Sequence, residues 1–309
     1  MQHQHPAELT PRILIFADQA DWHVRALKEG FAAAGAEAKA VSLRRCGLDM
    51  TEHGARFLLP GAAARPPDLA FVKTIAAGSF EEVTLRLGML HGLEAAGSTV
   101  LNSAPAIERC VDKAQTSLRL ALAGLPTPPA WCLQSRDAAA ALVASEAAQG
   151  YELVLKPLFG AQGRGLIRLT DPAAVPEPEA VDGVWYLQRF IAPAEATFRD
   201  CRVLVSAGRA VAAMLREHES WITNVHQGAR CVGIPAEGRV AELAIAAAEA
   251  VGAYHAGVDL IRDQDGSWRI LEVNSMPAWK GLQSVTGFSI AHILAADAVA
   301  LLARAERAP

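Results

Sequence analysis

The stretch that most limits how this chain can fold runs from Ala256 to Gly281. Ala256–Arg262 and Arg269–Asn274 are apolar runs of strand length, and the Asp265-Gly266 pair between them is a strong hairpin signal. Glu272 and Asn274 stand two residues apart near the end of the second run, which puts an acid and an amide on one face of a buried strand. If Asp263–Gly266 forms a four-residue turn, Arg262 pairs with Ser267 and Asp259 falls opposite Ile270, on the Glu272 face and diagonal to it. Asp259, Glu272 and Asn274 then offer oxygen donors only. Magnesium is held by one or two carboxylates together with substrate phosphates, so this hairpin predicts a nucleotide–metal site.

A chain of 309 residues, 51% hydrophobic and 20% charged, can bury one large core or two to three smaller ones. Its net charge of −4 gives no electrostatic case for nucleic acid or an anionic membrane. Cys46, Cys110, Cys132, Cys201 and Cys231 are odd in number and contain no CxxC pair, so neither a disulfide frame nor a zinc site is indicated. No apolar signal core opens the chain and no run approaches a membrane span, which predicts a cytoplasmic protein.

From residue 12 to 103 strand-like and helix-like patterns alternate: Arg12–Phe16, a helix from Trp22 stopped at Gly35, Ala38–Leu43, Asp68–Val72, a helix from Phe80 to Ala96, then Thr99–Leu101. That order predicts a doubly wound α/β domain. Phe16–Ala20 lacks the glycines of a dinucleotide fingerprint, which excludes the usual NAD site. A second, α+β segment spans 104–187. There Leu153–Lys156 ends an apolar strand on a lysine and runs into Leu158-Phe-Gly160-Ala-Gln162-Gly163-Arg-Gly165 before another strand, Leu166–Leu169. An ammonium and a row of backbone N–H groups are what a polyphosphate needs, and the strand–loop–strand order sets this loop apart from a Walker A turn. Val184–Ile191 is a strand leading into a linker, a hinge whose backbone could meet an adenine edge; the third segment runs from 188 to 305 and carries the metal hairpin.

Taken together and in order, Asp112-Lys113, Lys156 with its glycine loop, Gln188-Arg189-Phe190-Ile191, Asp200-x-Arg202, Arg216, Asn224, Asp259 and Glu272-x-Asn274 resemble the ATP-grasp enzymes, and most of all the RimK-like glutamate ligases. Each piece alone is weak; the ordered set is not. The resemblance implies an ATP-grasp fold of N-terminal domain, central lid and C-terminal domain. It implies nucleotide contacts at Lys113, Lys156, Gly160, Gln162, Gly163, Gly165, Gln188, Arg189, Phe190, Ile191 and Asp200. It further implies magnesium, or manganese, at Asp259, Glu272 and Asn274, and a meeting of γ-phosphate and acceptor carboxylate at Arg202, Arg216 and Asn224. The implied activity is ATP-dependent carboxylate–amine ligation through an acylphosphate, with L-glutamate as the amine, small-molecule partners and a homo-oligomeric state. Two alternatives stay open: a phosphotransferase on the same nucleotide site, and a glutamate ligase that modifies a protein C-terminus.

Three departures stand out. The hinge carries Arg189 where the family usually has an acid, Ile222 replaces a basic residue two before Asn224, and the tail after Asn274 reads Ser275-Met-Pro277-Ala-Trp279-Lys280-Gly281. That tail, with Ala76–Ser79 and Thr84–Gly88, looks most like the ligases of tetrahydromethanopterin-type cofactors. It predicts Trp279 and Lys280 beside the metal, the indole stacked on a planar, carboxylate-bearing acceptor.

Overall fold

Short apolar runs separated by helices build a parallel sheet in the first part of the computed structural model, which describes residues 11–52, 54–61, 65–160, 163–193 and 197–305. β1 (Arg12–Phe16) leads through α1 (Trp22–Ala33) to β2 (Glu37–Val41). A hairpin of β3 (Gly47–Thr51) and β4 (Gly54–Leu58) precedes β5 (Leu69–Val72), α2 (Phe80–Ala95) and β6 (Thr99–Leu101). The strand order is β2-β1-β5-β6, all parallel. The chain moves outward from β1 to β2 and then from β5 to β6 in the opposite sense, so the expected doubly wound arrangement is present. Asp21 caps α1 and a Ser79–Glu82 capping box opens α2. Lys73 follows β5 and is buried. The β3–β4 hairpin was not legible in sequence: its strands are largely exposed and held in part by an Asp49–Arg56 ion pair, so no apolar alternation marks them.

α3 (Ala104–Val111) carries the chain into a second unit that continues to Gly287. It contains α4 (Lys113–Leu122), β7 (Ala130–Leu133), α5 (Arg136–Ala148), β8 (Leu153–Lys156), β9 (Ile167–Leu169) and β10 (Trp185–Arg189). These are followed by β11 (Phe198–Ser206), β12 (Arg209–His218), β13 (Arg230–Ile234), α6 (Gly238–Val251), β14 (His255–Arg262), β15 (Trp268–Asn274) and the single turn α7 (Lys280–Gln283). Two antiparallel sheets result. In the order β7-β10-β8-β9, Leu153, Leu155, Trp185 and Leu187 pack with Ala139 and Val143 of α5. In the order β13-β12-β11-β14-β15, Val203, Val258, Leu260, Ile270 and Val273 pack with Leu243, Ala244, Ala247 and Val251 of α6. Each such large side chain, fully buried, contributes about 1.5–3 kcal/mol. Alternation along the strands leaves the opposite face of each sheet free for polar groups.

The last helix, α8 (Ile290–Ala305), belongs with the first unit and not with the metal hairpin, which corrects the third segment's boundary. It lies on α1 so closely that a Cβ at Gly30 would stand 2.5 Å from the Ala291 carbonyl oxygen. No helix among the described residues is long and apolar enough to cross a membrane.

Candidate active site

The metal hairpin folds as expected with one correction of register. Arg262 pairs with Trp268, the turn takes residues 263–267, and Asp259 lies directly opposite Glu272, not opposite Ile270. The longer turn supplies one residue of this shift and a β-bulge between Leu260 and Asp259 the other. Ile270 and Val273 both enter the core although three positions apart; a regular strand that kept Ile270 inside would have sent Glu272 inside with it. The bulge absorbs Leu271 and turns Glu272 and Asn274 onto the polar face with Asp259. Asn274 Nδ2 donates to Glu272 Oε1 at 3.0 Å and lies 3.4 Å from the Gly257 carbonyl oxygen.

Next to these ligands the sheet carries a paired network of arginines and aspartates. Arg202, opposite Asp259 on β11, forks its carboxylate, with Nη2 to Oδ2 at 2.5 Å. Arg216 forks Asp200 across β11–β12 at 2.6 and 2.5 Å and reaches Asp259 Oδ2 at 2.9 Å. Thr223 Oγ1 donates to Asp200 Oδ2 at 2.8 Å. Burial raises the pKa of Asp259, but Arg202 and Arg216 outweigh it and hold the carboxyl well below the usual range. Burial likewise works against the charge on Arg216, and Asp259 with Asp200 more than offsets it. Asp200 therefore serves Arg216, a partner that the resemblance did not imply.

The two lysines come from the other sheet and from α4, and both face the acids. Lys113 is the first residue of α4, fixed there because Asp112 accepts from the Ala114 and Gln115 amides; its Nζ donates to the Gly160 carbonyl at 2.9 Å. Lys156 Nζ donates to Gln188 Oε1 at 2.6 Å. Burial pulls both lysine pKa values down, while the Glu272 carboxylate holds both up; at Lys156 the neighbouring Lys113 lowers it further and Asp259 raises it. Tyr186, opposite Lys156 on β10, shares a 2.7 Å hydrogen bond with Ser117 of α4. Neither Tyr186 nor Ser117 stood out in sequence, although period-two alternation puts Tyr186 and Gln188 on the Lys156 face.

β8 and β9 are joined by the glycine loop in antiparallel order, as the strand–loop–strand reading requires. Gly163 and Gly165 adopt φ of +68 and +70 degrees, a region other residues rarely enter. A Cβ at Gly163 would stand 2.7 Å from Ile222 Cγ2, and Asn224 Nδ2 is 3.9 Å from the same point. The loop thus rests on the segment 222–224, with Ile222 as its seat. Gly160 contributes its carbonyl to Lys113; Gln162 lies outside the described residues.

At the hinge, Arg189 turns away from the nucleotide face. Its guanidinium pairs with buried Glu146 at 2.7 Å and lies 3.6 Å from the Tyr151 ring centroid, on the α5 side of the sheet. The Arg189 amide donates to Pro129 and the Phe190 amide to Glu152, each at 2.8 Å. Phe190 packs edge-on against Trp221 with Arg168 over its ring, and Ile191 is buried. Trp279 is 1% exposed, so its ring offers no open face to an acceptor, whereas Lys280 is exposed.

The donor set fits a magnesium–nucleotide pair. Among the described residues no group of three His, Cys, Asp or Glu side chains could hold a metal, so two carboxylates and an amide need phosphate oxygens to complete the shell. Arginine N–H groups take three of about four lone-pair positions on Asp259, leaving one on Oδ1, while among the described residues Glu272 accepts from Asn274 alone.

Glycine loop, paired lysines and acid–amide strand end, set between two antiparallel sheets, form the candidate nucleotide site. Residues 110–297 match the RimK-like ATP-grasp domain, and the chain belongs to that family. It is 33% identical over 240 residues to a tetrahydromethanopterin:alpha-L-glutamate ligase of Methanococcus maripaludis, covering 74% of this chain and 78% of that one. It is 32% identical over 272 residues to a probable alpha-L-glutamate ligase of Legionella pneumophila, covering 86% and 87%. The solved structure of the ATP-grasp ligase PsnB with minimal precursor, Mg and ADP superposes with a TM-score of 0.69 at 21% identity, over 95% of this chain and 98% of that one. The protein is an ATP-dependent ligase.

Proposed function

We propose that this enzyme joins the amino group of L-glutamate to a carboxylate of a small pterin-type acceptor, with ATP and magnesium, in a reducing cytoplasm. The observation that carries the reading is the convergence of Lys113 and Lys156 on Glu272, with Arg202 and Arg216 beside it: positive groups for a polyphosphate and a carboxylate around one unsaturated oxygen ligand. The acceptor class is supported by the methanogen relative and not by Trp279, whose burial removes the stacking surface expected of it.

Lys113 and Lys156 bind and orient the phosphates, and the glycine loop, resting on Ile222, keeps water from them. An acceptor carboxylate oxygen attacks the γ-phosphorus as the bond to the β-phosphate oxygen breaks, giving ADP and an acylphosphate. Arg202 and Arg216 offset the charge that gathers on the transferring oxygens. The glutamate amine, deprotonated, then attacks the acyl carbon and phosphate leaves. Glu272, Asn274 and Asp259 would hold magnesium, which would supply charge neutralisation to the phosphates. The central sheet with its loop acts as the lid of a three-part enzyme.

Mass spectrometry of products from ATP, magnesium, L-glutamate and tetrahydromethanopterin, beside a ribosomal-protein C-terminal peptide, tests this. Glutamyl-pterin with glutamate-dependent ADP release is expected. A glutamylated peptide in preference, or multiple-turnover ADP release that ends in a phosphorylated acceptor even with glutamate present, refutes it.

A further inference from the structure

Thr223 lies between β12 and β13, in the segment on which the glycine loop rests. Its neighbours Ile222 and Asn224 both face that loop: Ile222 Cγ2 and Asn224 Nδ2 stand 2.7 and 3.9 Å from where a Gly163 Cβ would lie. In an extended backbone, which Asn224 keeps with φ −75 and ψ 133 degrees, the residue between them points the other way. There its hydroxyl donates to Asp200 Oδ2 on β11 at 2.8 Å. The Ile222 and Gln227 amides bond within the segment, to Ser220 and Asn224, whereas the Thr223 hydroxyl reaches the sheet. The oxygen it meets is a contested one. Asp200 Oδ2 also takes Arg216 Nη2 at 2.5 Å, and that same nitrogen lies 2.9 Å from Asp259 Oδ2. Asp200, Arg216 and Asp259 are all buried, so little water offsets a charge left unmet. A second donor on Asp200 Oδ2 spreads that oxygen's charge over two partners and loosens its hold on the guanidinium. Without it, Asp200 draws Nη2 toward itself and away from Asp259.

We infer that Thr223 is a positioning residue: its hydroxyl ties the seat of the glycine loop to the Asp200–Arg216 pair and so keeps Arg216 aimed for phosphoryl transfer. This rests on the proposed function, in which Arg216 offsets charge on the transferring oxygens, and deepens it by linking that arginine to the loop. A threonine suits the task because its β-branch restricts χ1 and holds the hydroxyl in one direction. The link predicts a split between binding and turnover. Arg216 acts on the transferring phosphoryl group, so loss of the hydroxyl slows that step and leaves ground-state nucleotide binding to the lysines.

Rapid-quench measurement of ADP formation with ATP, magnesium, L-glutamate and tetrahydromethanopterin tests this in wild type, Thr223→Val, Thr223→Ala and Thr223→Ser. Calorimetric titration with AMP-PNP and magnesium, and thermal midpoints, are recorded on the same proteins. Thr223→Val and Thr223→Ala are expected to slow the first turnover about 10- to 150-fold, the span of a lost hydrogen bond to a charged group, with the AMP-PNP Kd within about twofold of wild type. Thr223→Ser, which keeps the donor, should stay within about threefold of the wild-type rate. A structural role would lower the midpoints and spare the rate. A Thr223→Ala rate within about twofold of wild type, an equal loss in Thr223→Ser, or a Kd that rises in step with the lost rate overturns the inference. Arg216→Lys, run alongside, separates the two readings. Wild-type turnover in Arg216→Lys overturns the proposed function and the positioning role together, whereas slow turnover there beside fast Thr223→Ala overturns the positioning role alone.

Discussion

Replacing Gly163 by alanine should open the lid without unfolding the protein. The backbone there has φ of +68 degrees, and holding an L-residue in that region costs about 1–2 kcal/mol. The new methyl group would also stand 2.7 Å from Ile222 Cγ2, an atom on a β-branched side chain with little freedom to turn aside, and overpacking of this kind costs about 1–3 kcal/mol. Together the closed loop loses about 2–5 kcal/mol, and even the lower figure is roughly 30-fold in affinity. Because the loop can relieve the strain by lifting away, the loss should fall on ATP binding and leave the unfolding midpoint nearly unchanged. Ile222→Ala in the Gly163→Ala background removes the overlap and not the dihedral strain, so a double-mutant cycle on AMP-PNP affinity should show a favourable coupling of about 1 kcal/mol or more. Unchanged ATP KM in Gly163→Ala, or additive effects of the two substitutions, would mean that the loop does not close on Ile222 when nucleotide is bound.

Glu272→Gln should abolish ADP formation at every magnesium concentration while far-UV circular dichroism stays native, since the side chain is only half-buried and bonds within the protein to Asn274. Arg189→Glu, which restores the acid usual in the family, sets a second carboxylate against buried Glu146; urea denaturation should show a loss of about 3–5 kcal/mol with AMP-PNP affinity little changed. A tenfold loss of affinity at native stability would instead mean that Arg189 reads the nucleotide. Burial pulls the Lys73 pKa from 10.5 down to about 8, with Asp21 opposing. Between those values the folded state loses the proton first and the unfolded state binds more, so this group makes stability rise with pH from about 8 to 10.5, by roughly 3 kcal/mol in all. The rise is read as the difference between wild type and Lys73→Met, because the buried cysteines titrate alike in both; parallel curves would refute it.

The α/β alternation of the first unit and the strand–glycine loop–strand were legible because each rests on local pattern: apolar runs, a Gly stop, a lysine ending an apolar strand. The convergence of the proposed metal ligands was legible in part, since Glu272 and Asn274 share a face in any regular strand. Their register with Asp259 was not, because the bulge at Leu271 is settled by which residues the α6 side of the sheet must bury. Neither was the partner of Arg189. An arginine at that position reads as a change in the nucleotide pocket until the pleat shows it facing α5. The exposed β3–β4 hairpin and the attachment of α8 to α1 depend on contacts between distant segments, which local periodicity does not record.

Deleting Leu271 would leave Ile270, Glu272, Val273 and Asn274 in unbroken inward–outward alternation, with Asp259 still facing Glu272. A one-residue gain or loss in the middle of a strand ordinarily throws every later side chain out of frame. Here it does not, because the strand already holds the surplus residue outside its pairing. Chain length at this position can therefore change without exchanging the residues proposed to meet the ion. What varies instead is the bend of the strand and the angle from which the acid approaches, so the site can be retuned by an insertion or a deletion where most enzymes must wait for a substitution.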